Sequence, residues 1–189
     1  MLIVFGGLPA TGKTTIARLV AQRCGAAYLR IDAIEQALRS AQVLAGDVGP
    51  AGYAIAYALS EANLKLGQTV VADCVNPLPI TRAAWRAVAA SASSTIMEIE
   101  VICSDPVEHR RRAEHRAIDI PGLSSPSWRS ILTYDYEPWR EPRILIDTAT
   151  MSAADAASKI LTATGGKSVR RPCFSAPGRR PDPALAACI

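Results

Sequence analysis

The sequence predicts an α/β fold, a mostly parallel sheet with helices on both faces. Three observations carry that expectation. Short β-branched runs alternate with longer Ala-rich amphipathic runs through residues 1–164. A chain of 189 residues has the size of one domain, about 100–200 residues, with room for a tail. A glycine-rich turn joins the first apolar strand to the first helix. Strands that alternate with helices imply right-handed crossovers. Ligands in such sheets bind beyond the carboxyl ends of the strands, so the residues after each strand are the ones to inspect.

The elements follow in order. Leu2–Phe5 reads as the first strand and Lys13–Cys24 as the first helix, with Gly25 in the left-handed position that ends helices. Tyr28–Ile31 is the second strand and Ala33–Ser40 its helix. A helix over Tyr53–Leu66 stops at Gly67, before the third strand, Thr69–Ala72. Helix Ile80–Ala92 leads to strand Ile96–Cys103. Asp105-Pro106-Val107-Glu108 then places an N-cap acceptor before Pro at N1, with Glu at N3 reaching back, and opens helix Pro106–Ala117. Ser127–Asp135 reads as a short helix and Arg143–Ile146 as the last strand. Ser152 and Asp155 cap helix Ala153–Thr162, which Gly165-Gly166 closes. Residues 165–189, with Pro172, Pro177, Pro181 and Pro183 and no periodicity, read as an irregular basic tail outside the 1–164 domain.

Composition narrows the function. The net charge of +4 resides in the tail, whose five basic residues face one acid; the body balances sixteen against sixteen. A broad nucleic-acid-binding field is therefore not expected of the body. No apolar run reaches the roughly 18 residues of a membrane span, and Met-Leu-Ile-Val-Phe lacks the basic start of a signal peptide. Five cysteines without a C-x-x-C pair are read as free thiols in a reducing cytoplasm. His109 and His115 are assigned to a solvated helix.

Gly7-Leu8-Pro9-Ala10-Thr11-Gly12-Lys13-Thr14 matches G-x-x-x-x-G-K-[ST] in full, between a strand and a helix. With Gly at about 7 % per position, a chance match in a chain this long has a probability of roughly 1 % or less. A loop that wraps a phosphate with its N–H groups excludes Cβ atoms at Gly7 and Gly12, and the helix start adds unpaired donors and partial positive charge. Lys13 supplies a full charge to the β- and γ-phosphates, Thr14 a hydroxyl ligand for Mg²⁺, and Thr15 completes the binding segment. The expected cofactors are ATP and Mg²⁺.

Two carboxylates close strands on the same edge. Asp32 could accept the proton of an acceptor hydroxyl or orient it, or else cap the next helix. Asp73 ends an apolar strand in the manner of a carboxylate that holds magnesium. Asn76 is a substrate contact or a turn residue before Pro77. Arg112 and Arg116, four apart before the flexible stretch 119–126, suggest a lid whose arginines neutralise charge on a transferring phosphoryl. Arg110 and Arg111 read as surface. Helix Tyr53–Leu66 and the segments 75–85 and 128–139 are expected to shape the acceptor pocket, with Trp85, Trp128, Tyr134 and Trp139 either stacking on substrate or filling core.

These motifs resemble the small P-loop kinases, above all the AAA_33 group, which is related to gluconate kinase, adenylylsulfate kinase, chloramphenicol phosphotransferase, zeta-toxin kinases and polynucleotide kinase. The resemblance covers residues 1–163 and includes Asp135-Tyr136-Glu137-Pro138-Trp139. It implies an adenylate-kinase-like three-layer P-loop NTPase with sheet order 2-3-1-4-5 and a lid. It also implies that Asp32 activates the acceptor and that Arg112 and Arg116 are lid arginines. The expected activity is transfer of the γ-phosphoryl of ATP-Mg to a hydroxyl of a small molecule such as a sugar, nucleoside or antibiotic-like alcohol. The alternatives are a 5′-hydroxyl polynucleotide kinase and a nucleotide-binding switch or weak ATPase without an acceptor.

Overall fold

The computed structural model describes residues 1–42 and 46–165. The tail from residue 166 onward, with Cys173 and Cys188, lies outside the described residues. Among the described residues there are five parallel strands: β1 (Leu2–Gly6), β2 (Ala27–Arg30), β3 (Val70–Asp73), β4 (Ile96–Ile102) and β5 (Ile144–Asp147). They run in the order β2-β3-β1-β4-β5, as the resemblance implied. The register sets Phe5 opposite both Asp73 and Ile99, and Arg30 opposite Asp73.

Side chains alternate across a strand, and here both faces are dry. Ile3 and Phe5 enter one core with Ile16, Val20, Val101 and Ile160. Leu2 and Val4 enter the other with Ile31, Leu64, Trp85 and Val88. The helices therefore form two layers. The first holds α1 (Lys13–Cys24) and the C-terminal helix Ala153–Ala163, numbered α7; the second holds α3 (Ala51–Lys65) and α4 (Pro79–Ser91). Helices α2 (Ile31–Ala41), α5 (Pro106–His115) and α6 (Trp128–Leu132) surround the carboxyl edge of the sheet.

Several ends differ from expectation, each for a packing reason. Helix α2 starts at Ile31, because that side chain is buried in the second core. Asp32 thus lies inside the first turn, and the N-cap position falls to Arg30. Asp105 caps α5 by accepting from the amides of Val107 and Glu108. Glu108 does not reach back to it; it receives Arg111 and Arg112 instead. Those two guanidiniums hold its carboxyl down at about 2. Helix α5 stops at His115, leaving Arg116 extended at the C-cap.

His109 corrects the expectation of a solvated helix. It is buried, its ring lies edge-on to Trp128 at 5.1 Å, and its Nε2 is 2.8 Å from the carbonyl of Pro9. A carbonyl only accepts, so Nε2 carries the proton there. His115 is exposed. Trp85 and Trp139 are core. Trp139 covers Arg82, a fully buried cation with its guanidinium carbon 4.4 Å from the ring. Arg82 donates to the carbonyls of Asn76 at 3.2 Å, Pro77 at 2.6 Å and Pro138 at 3.1 Å. It fastens the segment 136–139 beneath the end of β3.

Candidate active site

The loop between β1 and α1 has the backbone that an anion cradle requires. Gly7 and Gly12 have φ of 138° and 89°, and Ala10 is left-handed at 65°. A Cβ on Gly7 would collide with the carbonyl oxygen of Val101, so only glycine fits. The loop is tied on three sides. The amide of Gly7 donates to the carbonyl of Val75 at 2.9 Å. The Thr11 hydroxyl donates to the Leu8 carbonyl at 2.9 Å, and the Thr148 hydroxyl donates to the Thr11 carbonyl at 2.8 Å. Lys13, Thr14 and Thr15 form the first turn of α1, where helix geometry leaves amides without an internal acceptor.

Lys13 is only 7 % exposed and has no ion pair or hydrogen bond among the described residues. Its stem is buried while its ammonium faces a cavity with no partner of its own, a placement that favours an anion there. Lys13 lines a cavity of about 420 Å³ together with Ala10, Gly12, Thr14 and Thr15. Its outer wall carries Arg18, Arg111, Arg112 and Arg116. The one carboxylate on that wall, Asp119, is occupied by Arg18 and Arg30. The field inside is therefore positive.

A second cavity of about 160 Å³ meets the first at Lys13 and Arg116. Asp32, Pro9, Val75 and Tyr134 line it, with Ile118 and residues 123–126 of the lid segment. Arg116 makes no hydrogen bond or ion pair among the described residues and faces both cavities. Arg112 differs. It donates to Glu108 at 2.7 Å, to the Thr148 hydroxyl at 2.8 Å and to the Thr148 carbonyl at 3.1 Å. It therefore braces α5 against the phosphate loop as well as lining the larger cavity. Neither α3 nor the tryptophans line the smaller cavity; Val75 and Tyr134 do.

Arg30 is the residue that sequence reasoning passed over. It is 4 % exposed and joins carboxylates from three parts of the chain. Its Nε and Nη2 donate to Asp32 Oδ2 at 3.3 and 3.1 Å. Its Nη1 reaches both oxygens of Asp119 at 3.0 and 2.8 Å. Asp73 Oδ2 lies 3.9 Å from Nε and also accepts from the Tyr28 hydroxyl at 2.8 Å. Burial first, then the charge and hydrogen bond of Asp73, push the Tyr28 phenol upward, so Tyr28 stays a donor. Asp73 Oδ1 is buried with no partner. The only local sign of this hub was a charged residue closing an otherwise apolar strand.

A parallel 2-3-1-4-5 sheet, a glycine-strained loop and a buried unpartnered lysine define a P-loop protein of the kinase-like type. The AAA domain family, AAA_33, matches residues 2–121, and the chain belongs to it. The uncharacterized protein Rv2004c of Mycobacterium tuberculosis is 35 % identical over 119 residues, 57 % of this chain and 24 % of that one. The uncharacterized protein Mb2027c of Mycobacterium bovis matches to the same extent. The match thus spans about a quarter of the length of these curated relatives. Among solved structures, a sugar kinase from Janibacter has a TM-score of 0.63 at 18 % identity, covering 87 % of this chain and 94 % of that one. A gluconokinase from Sinorhizobium meliloti gives 0.58 at 20 %, covering 88 % and 92 %. The Mycobacterium tuberculosis APS kinase CysC, in complex with AMPPNP and APS, gives 0.61 at 20 %, covering 87 % and 96 %. At these identities the likeness shows the fold. Among the described residues no helix is long and apolar enough to cross a membrane.

Proposed function

We propose that the protein moves the γ-phosphoryl of ATP to a hydroxyl of a small molecule. The observation that carries this reading is Lys13, buried and unpartnered on the wall shared by a basic cavity and one floored by a carboxylate. The triphosphate lies in the larger cavity, its oxygens on the loop amides and Lys13. The alcohol enters the smaller cavity beside Asp32. Its oxygen attacks the γ-phosphorus, the bond to the β-phosphate oxygen breaks, and ADP is the leaving group. Asp32 accepts or orients the hydroxyl proton. Arg116, at the junction, neutralises charge on the moving phosphoryl.

Magnesium fits the residues present. Asp73 Oδ1 is a buried oxygen without a donor, at the end of a strand paired with the one that leads into the loop. Asp73 and the Thr14 hydroxyl would hold the ion, which neutralises phosphate charge when bound. No cluster of three His, Cys, Asp or Glu side chains among the described residues would bind a metal unaided, so a bound nucleotide would have to supply the remaining ligands.

The test is a phosphate-transfer screen with ATP/Mg²⁺ over sugars, nucleosides, antibiotics and a 5′-hydroxyl oligonucleotide, for wild type and Asp32→Ala. The variant is expected to keep nucleotide binding and to lose transfer by about 10²–10⁴-fold. Wild-type turnover by Asp32→Ala on the true acceptor would remove the carboxylate from the chemistry. Tight nucleotide binding without any acceptor-dependent turnover would favour a nucleotide switch instead.

A further inference from the structure

The smaller cavity constrains what can be phosphorylated. On the kinase reading above, we infer that the acceptor is a small alcohol of about six to ten heavy atoms, uncharged at the end away from its reacting hydroxyl. Size comes first. A cavity of about 150 Å³ holds a molecule of benzene's size, and drug-sized ligands need about 300–1,000 Å³. With about 160 Å³ between Asp32 and the lid, a nucleoside or an antibiotic would not be enclosed. The lid bounds that space while Asp119 is fastened to Arg30 and Arg18.

Charge comes second. The cations in this cavity, Lys13 and Arg116, stand on the wall it shares with the nucleotide. Apart from Asp32, the rest of the lining is Pro9, Val75, Ile118, Leu123 and Pro126 with the hydroxyls of Ser124, Ser125 and Tyr134. These three hydroxyls have no partner among the described residues. Asp32 is the one carboxylate of the lining and is already bridged to Arg30. Beyond Lys13 and Arg116 nothing in the lining would pair with an anion, and hydroxyl groups match a polyol. An acceptor ending in a carboxylate or phosphate would be buried there without a counter-charge. An oligonucleotide end would bring both excess bulk and excess negative charge.

The chemistry is that of the parent reading. A C–O–P bond forms at the acceptor oxygen, the bond between the γ-phosphorus and the β-bridging oxygen breaks, and the hydroxyl proton passes to Asp32 or to solvent. The experiment uses the full chain with ATP/Mg²⁺ and follows ADP release and product mass. One arm contains neutral polyols from glycerol to pentoses. The others contain sugar acids, nucleosides and a 5′-hydroxyl oligonucleotide. The expected result is turnover with small neutral polyols, at least about tenfold better in kcat/KM than with the acid of matching size. Leu123→Ala should move the preference toward larger polyols. Ser124→Leu should cut transfer by about tenfold or more, while displacement of a fluorescent ATP analogue stays unchanged. A preference for a nucleoside, a sugar acid or the oligonucleotide overturns the inference and leaves the kinase reading standing. Transfer to no member of any arm, with ATP still bound, refutes both.

Discussion

Replacing Asp119 by asparagine unfastens the lid. In the wild type its carboxylate takes two hydrogen bonds from Arg30 Nη1, at 3.0 and 2.8 Å, and one from Arg18. Arg30 is buried and Asp119 is one-third exposed, so the pair lies between two limits. Exposed pairs contribute about 0–1 kcal/mol, and breaking a fully buried pair costs about 3–5 kcal/mol. Solvent screening at Asp119 puts the loss at about 1–2 kcal/mol, which shifts the closed-to-open ratio about 5–30-fold. Stopped-flow release of a fluorescent ATP analogue reads that ratio, and release from Asp119→Asn should be faster by the same factor. The pH dependence gives a second check. Burial raises the Asp119 carboxyl, but hydrogen bonds from Arg30 and Arg18 outweigh it and hold the group below its ordinary 3.8. A depressed carboxylate contributes fully above its unfolded value and loses that contribution as pH falls through the lowered one. Wild-type release should therefore accelerate as the pH drops below 3.8, and the asparagine variant should be flat there. Equal release rates and equal profiles would show that Asp119 does not hold the lid.

Other perturbations follow from the same contacts. Arg82→Met removes the guanidinium from the carbonyls of Asn76, Pro77 and Pro138, of which Pro77 keeps the Glu137 amide; a loss on the order of 3–5 kcal/mol is expected, read by urea unfolding. Gly7→Ala places a Cβ against the Val101 carbonyl at φ 138°, so it should abolish ATP binding or lower stability by about 1–3 kcal/mol. The two lid arginines should separate: Arg116→Ala loses kcat by about 10³-fold or more with the melting temperature unchanged. Arg112→Ala instead lowers the melting temperature and weakens nucleotide binding, because it frees Thr148 from α5.

The fold was legible because its signals are local. The unbroken apolar run Leu2–Phe5 betrays a strand buried on both faces, and the spacing of Gly7, Gly12 and Lys13 marks the loop without any tertiary knowledge. The site was legible only where its residues lie next to a strand end, as Asp32 and Asp73 do. Arg30 escaped because its partners sit 2 and 89 residues away, with Asp73 across the strand pair. His109 escaped because its acceptor, Pro9, is 100 residues upstream and shares no periodicity with α5. The capping box at Asp105 was half right for a competitive reason: Glu108 finds two guanidiniums nearer than the cap amide. Long-range pairing of charges decides such details, and helical or strand spacing carries no record of it.

The most direct measurement is calorimetric titration of ATP and AMP, each with Mg²⁺, into the wild type and Lys13→Met. If the Lys13 ammonium grips the β- and γ-phosphates, the wild type should prefer ATP, and the variant should lose about 10–100-fold of that preference while keeping its affinity for AMP. A Lys13→Met protein that binds ATP as tightly as the wild type would contradict the placement of the triphosphate, and the phosphoryl transfer built on it.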